Sequence, residues 1–137
     1  MYPEIFEQIN LIINSVTMTF FQFPHPIEAK INFENILRMP DLLTLAAMKA
    51  YALGERAKWK DYVDLFFLLQ NYYSLNQIIN KAEAIFGQMF SAKLFLAQLA
   101  YHKDIDYNEQ PEYMPGYEVD EQIIKDFLID ISLKEIK

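Results

Sequence analysis

Cysteine is absent from this chain of 137 residues, so neither a disulfide framework nor a thiolate metal site can be built, and a reducing, cytoplasmic compartment fits. Histidine is nearly absent. His25 stands between two prolines and His102 falls at a helix end, without the spacing that a zinc site needs. Glycine is scarce and first appears at Gly54, which excludes a glycine-rich phosphate loop in the first third of the chain. Positive charge is also short: 12 Lys and Arg face 19 Asp and Glu, a net charge of −7, so the surface as a whole is a poor match for nucleic acid. No apolar run reaches spanning length without a charge. The opening MYPEIFEQINLIINSV lacks the basic start of a signal peptide.

What remains is rich in core material. Apolar residues make up 53% of the chain and aromatics 15%, a globular composition with length for one core. No repeat or linker divides it. The expectation is one domain over 1–137, with a helix and strands in 1–38 and a helical part in 39–137. The fold class is α+β and mostly helical: a short N-terminal helix and a small β element followed by a bundle of about five helices.

Along the chain, Ile5, Phe6, Ile9, Ile12 and Ile13 share a helical face, which predicts a helix over 3–13. SVTMTFFQF alternates and predicts a strand over 15–23, ended by PHP. Residues 29–38 hold one or two short strands. Helices are expected from Pro40 or Asp41 to about Gly54, from Lys58 to Gln70, from Ser74 to Gly87, and over 89–101. Ser74 and Gln77 make a capping box, and Gly87 suits a C-terminal cap. DIDYNEQPEYMPG is a polar loop, and a last helix begins at Asp120, with Val119 and Ile124 placed for a hydrophobic staple.

The scarce positive charge is concentrated. Lys49, Arg56, Lys58 and Lys60 lie within 12 positions, while Asp104 to Asp120 carries six acids and no base. On a helical wheel Lys49 falls among Leu42, Leu45, Ala46 and Leu53, on the apolar side, and Arg56 lies on the same side seven residues on. A lone ammonium there needs a partner. The next helix is apolar nearly all round except for Lys60, Asp61 and Asp64, and the two aspartates share a face. A tight turn over 54–58 would bring Lys49 and Arg56 to them. Two readings stay open: an ion-pair cluster that fixes helix register, or half of an active site, with a cation for phosphates and carboxylates to orient it or act as base.

The order of these residues carries a resemblance. DLLTLAAMKAYALGERAKWKDYVDLFFLLQNYYSLNQII is similar to a segment of the form S-x-E-D-L-A-A-x-K-x-x-A, followed by R-x-x-x-K/R-D-x-x-D-L-x-x-L, in the AbiEii/AbiGii toxins of abortive-infection and toxin–antitoxin systems. The matching residues are Asp41, Leu42, Ala46, Lys49, Arg56, Lys60, Asp61, Asp64, Leu65 and Leu68. VTMTFFQFPHPI and LAQLAYHKDIDYNEQPEYMP resemble flanking segments, so the likeness covers about 15–130. It implies a nucleotidyltransferase-like fold, transfer from an NTP to an acceptor (RNA in some members), a divalent ion, and a cognate antitoxin. By motif match Lys49, Asp61 and Asp64 would be catalytic, with Lys49 on the phosphates. Arg56 and Lys60 would bind nucleotide.

The chain departs from that pattern before residue 41. Such enzymes begin with a Gly-Ser turn and an Asp-x-Asp pair that holds Mg²⁺; here the early acids are Glu4, Glu7, Glu28 and Glu34. Asp104 and Asp106 form the sole Asp-x-Asp and read as a solvated loop. The expectation is therefore a C-terminal part that is inactive alone and binds no metal or cofactor. NTP and Mg²⁺ enter only with a missing N-terminal half. That half, an antitoxin, or a second copy would be the partner. The alternative is a non-enzymatic helical interaction module with a structural ion-pair cluster. No membrane is involved.

Overall fold

The computed structural model describes residues 8–135. Two small antiparallel hairpins precede five α-helices, so the fold is α+β and mostly helical. The hairpins are β1 (Gln8–Ile13) with β2 (Val16–Phe21), and β3 (Ile31–Phe33) with β4 (Leu37–Met39).

β1 overturns the helix predicted at its position; residues 3–7 of that prediction lie outside the described residues. The apolar residues Ile9, Leu11 and Ile13 also alternate with period two, and a short run satisfies both periods. The turn decides. Asn14 and Ser15 have φ values of 51° and 65°, the left-handed pair of a two-residue hairpin turn whose twist matches that of the strands. The register then pairs Ile9 with Phe20, Leu11 with Met18 and Ile13 with Val16 on one face. The other face pairs Gln8 with Phe21, Asn10 with Thr19 and Ile12 with Thr17. Glu34 and Asn35, also at positive φ, turn the second hairpin.

The helices are α1 (Leu42–Glu55), α2 (Trp59–Asn71), α3 (Leu75–Phe86), α4 (Ala92–Ala100) and α5 (Glu121–Glu135). Asp41 caps α1 by accepting from the Thr44 amide at 2.8 Å. The Ser74–Gln77 capping box forms as expected, and Gly87 ends α3 at a φ of 56°, a conformation that a side chain would strain. Gly54, in contrast, is inside α1; the chain reverses at Arg56–Lys58.

α1 packs against α2, α3 and α4, and α5 closes the bundle on α2 and α4. Ala46, Ala47 and Ala50 are buried on α1, and such small side chains permit close helix approach. α2 contributes Trp59, Tyr62, Leu65 and Phe66, among others, and is the central helix that its near-continuous apolar surface predicts. Tyr62 accepts from Gln98 at 2.7 Å, and burial pushes its phenol pKa up to about 12. Ser132 on α5 donates to the Leu96 carbonyl at 2.6 Å, which joins α5 to α4.

The first hairpin is joined to this body through its outgoing end. Phe23 and His25 meet Tyr51 of α1 and Phe86 of α3 in an aromatic cluster, with Tyr51 stacked on Phe86 at 4.1 Å. Every residue of both hairpins is solvent-exposed.

Candidate functional site

The α1–α2 reversal brings together four of the five residues singled out in the sequence. Lys49 Nζ lies 3.1 Å from Asp61 Oδ1 and 2.8 Å from Asp64 Oδ2, and Arg56 Nε lies 3.2 Å from Asp61 Oδ2. Asp61 is fully buried, with one oxygen given to each cation. Its burial is tolerable because both oxygens have charged donors. Asp64, one helical turn on, is half-exposed. The two aspartates therefore differ: Asp61 anchors the cations, and Asp64 meets solvent.

Burial acts to lower the pKa of the Lys49 ammonium. The hydrogen bonds and charges of Asp64, then Asp61, outweigh it and hold Lys49 above the ordinary lysine value. Lys49 is thus a fixed cation near neutral pH, suited to hold an anion and not to act as a base.

Lys60 does not join the cluster. It follows Trp59 on α2 and precedes Asp61, so a helical step of about 100° turns it away from the Asp61 face. It pairs with Glu109, as does Lys58 at 2.8 Å. Asp104 and Asp106 hold loop structure: Asp104 accepts from Gln98, and Asp106 accepts from the Asn108 amide.

Two features escape sequence reading. The first is an open groove of about 320 Å³ beside the cluster, lined by Phe21, Phe23, Leu45, Met48, Tyr51 and Ala52, with Lys49, Arg56 and Glu55 at its charged side. Its aromatic residues come from β2, the segment after it and α1, so no local spacing announces it. The second is the Lys58–Lys60–Glu109 contact. The complementary charge of 49–60 and 104–120 was its one available signal.

A divalent ion does not fit the acidic residues of the cluster. Both Asp61 oxygens are committed to cations, Asp64 is bonded to Lys49, and the described residues contain no group of three His, Cys, Asp or Glu placed to hold a metal. The arrangement suits phosphate contact by Lys49 and Arg56, beside a groove with aromatic walls.

The described residues form a mostly helical α+β body with a Lys–Arg–Asp–Asp cluster across one helix reversal. The sequence profile of the family described as "Nucleotidyl transferase AbiEii toxin, Type IV TA system" matches residues 15–133. The chain belongs to this family. Comparisons with curated proteins and with solved structures give no match. Among the described residues no helix is long and apolar enough to cross a membrane.

Proposed function

We propose that this chain supplies the nucleotide-phosphate-binding part of a nucleotidyltransferase-like toxin and carries out no transfer by itself. The observation that carries this reading is Lys49, held as a cation by Asp61 and Asp64 at the side of an apolar, aromatic groove. The base of a nucleotide packs against Phe21, Phe23 and Tyr51, and its phosphates meet Lys49 and Arg56. Asp61 orients both cations. Asp64, paired with Lys49 through Oδ2 but half-exposed, is the carboxylate that faces an acceptor, which in this family reading is RNA.

The sequence holds neither the Gly-Ser turn nor an early Asp-x-Asp pair, and the cluster does not suit Mg²⁺. Metal chemistry in this reading comes from a segment outside these residues that bears those elements, and family membership implies an antitoxin as a further partner. The test is calorimetric titration with ATP and GTP, together with a transfer assay using labelled NTP and RNA. The chain alone is expected to bind NTP weakly and transfer nothing, and a polypeptide carrying the missing elements is expected to restore transfer. Transfer by the isolated chain, or reconstituted transfer that survives Lys49→Ala, overturns the assignment.

A second reading, a non-enzymatic interaction module, is favoured by one observation. The Ile9, Leu11, Ile13, Val16, Met18 and Phe20 face of the first hairpin is open to solvent, although a lone two-stranded hairpin is marginal. No Asp, Glu, Lys or Arg occurs from Gln8 to Ile27, so two copies of this acidic chain can meet here without opposing charges. The occupant in this reading is a second copy, joined face to face about a two-fold axis.

A further inference from the structure

Lys58 and Lys60 stand where α2 begins, and both converge on one carboxylate, Glu109, from a loop far along the chain. The loop is not there by side-chain contact alone. The Trp59 amide donates to the Asp106 carbonyl at 2.9 Å, and the Asp106 amide donates to the Ala57 carbonyl at 2.7 Å. Two backbone bonds thus hold the loop against the helix reversal, three residues before Glu109.

The lysines open onto a cleft of about 850 Å³ that is also lined by Gln8, Thr17, Thr19 and Phe21 of the first hairpin. Arg56 completes its basic side. The hairpin therefore contributes uncharged hydrogen-bonding groups and the Phe21 ring, the helix reversal contributes a guanidinium, and the loop contributes Glu109. Glu109 is an exposed carboxylate whose pKa is drawn down to about 2 by hydrogen bonds from Lys58 and Lys60 and by their charges. It stays ionised at neutral pH. Arg56 is already paired with Asp61, but a single carboxylate leaves the two ammonium groups undercompensated, whereas a phosphate offers more charge and more acceptor oxygens.

We propose that Lys58 and Lys60 form a phosphate-binding site that adjoins the Lys49 cluster at Arg56, and that Glu109 is an internal anion displaced when a phosphate-bearing ligand enters the cleft. With Glu109 in place, the two ammonium groups are opposed by one carboxylate. When the Glu109 side chain turns away, with the loop backbone still held at Asp106, both ammonium groups face the cleft unopposed and it becomes more attractive to anions. The site stands on its own geometry and does not require nucleotide at Lys49.

The experiment compares the full chain with Glu109→Gln and Lys58→Ala/Lys60→Ala. Binding of fluorescent single-stranded oligouridine is followed by anisotropy, and binding of inorganic pyrophosphate by calorimetry, at two salt concentrations. Circular dichroism monitors folding. Glu109→Gln removes the competing charge at nearly constant shape and is expected to tighten binding roughly threefold to tenfold, the range set by release of two exposed ion pairs. The double lysine variant is expected to lose most of the binding and to reduce the salt slope by about 0.7 per lost phosphate contact on a single strand. Tighter binding of oligouridine than of pyrophosphate, with both responses to substitution, identifies a nucleic-acid strand as the source of the phosphate; equal affinity identifies a free phosphate compound. Folded Glu109→Gln protein that binds neither probe more tightly than wild type, or unchanged binding by the double lysine variant, overturns the proposal.

Discussion

Lys49 Nζ lies 3.1 Å from Asp61 Oδ1, so a fully buried carboxylate on α2 takes half of its compensation from an ammonium on α1 twelve residues earlier. The pair ties the two helices on either side of the reversal. It also presents the lysine, 23% exposed, to the groove beside it. Structure and candidate function thus share one atom, which makes the two separable only by measuring both.

Removing that ammonium leaves Asp61 with Arg56 alone. Lys49→Ala is expected to destabilise the fold by about 3 kcal/mol, near the low end for one lost partner of a buried pair. The melting temperature should fall by roughly 10 °C. Asp64 is 49% exposed, and Asp64→Ala should cost less than about 1 kcal/mol. Scanning calorimetry of both variants checks the difference in rank; equal losses would show that Asp61 does not depend on Lys49.

The same pair predicts an alkaline signature. The folded pKa of Lys49 lies above the ordinary value of 10.5, so the folded state binds this proton more tightly than the unfolded chain. Its contribution is therefore complete below about pH 10.5 and disappears as pH rises through the folded value. The stability difference between wild type and Lys49→Met, which keeps the aliphatic stem, should be flat from pH 7 to 9 and shrink above pH 10.5. Urea unfolding across that range reads it, and a difference that fades between pH 6 and 8 would contradict the pairing.

The open hairpin face makes the third expectation. Met18, paired with Leu11 at its centre, makes no part of the helical core, so Met18→Asp should move the melting temperature by no more than about 2 °C. If two copies meet on this face, wild-type protein shifts toward dimer with concentration in analytical ultracentrifugation, and Met18→Asp stays monomeric. Concentration-independent monomer in the wild type removes this reading.

The helices were legible because their signals are local. Asp41 and the Ser74–Gln77 box mark starts, Gly87 marks an end, and the apolar periodicity of α3 lies within one short window. The first hairpin was half legible. SVTMTFFQF alternates cleanly, but Gln8–Ile13 satisfies both periods, and the left-handed turn at Asn14–Ser15 decided between them. In the site, Lys49 on an apolar helix face announced that a partner was needed. That Asp61 would be buried between two cations, that Asp64 would stay at the surface, and that Lys60 would leave for Glu109 was not written in any spacing.

By itself the sequence determined that this chain builds a helical core, has no thiol to offer, and must neutralise charges carried among apolar residues. Only the tertiary structure decided which carboxylate neutralises which cation, that the more polar hairpin face lines a basic cleft, and that an acidic loop occupies it. The physical reason is range. Caps, turns and periodicity act over a few neighbouring residues, whereas an ion pair depends on where packing places two distant segments and on how much water that packing removes.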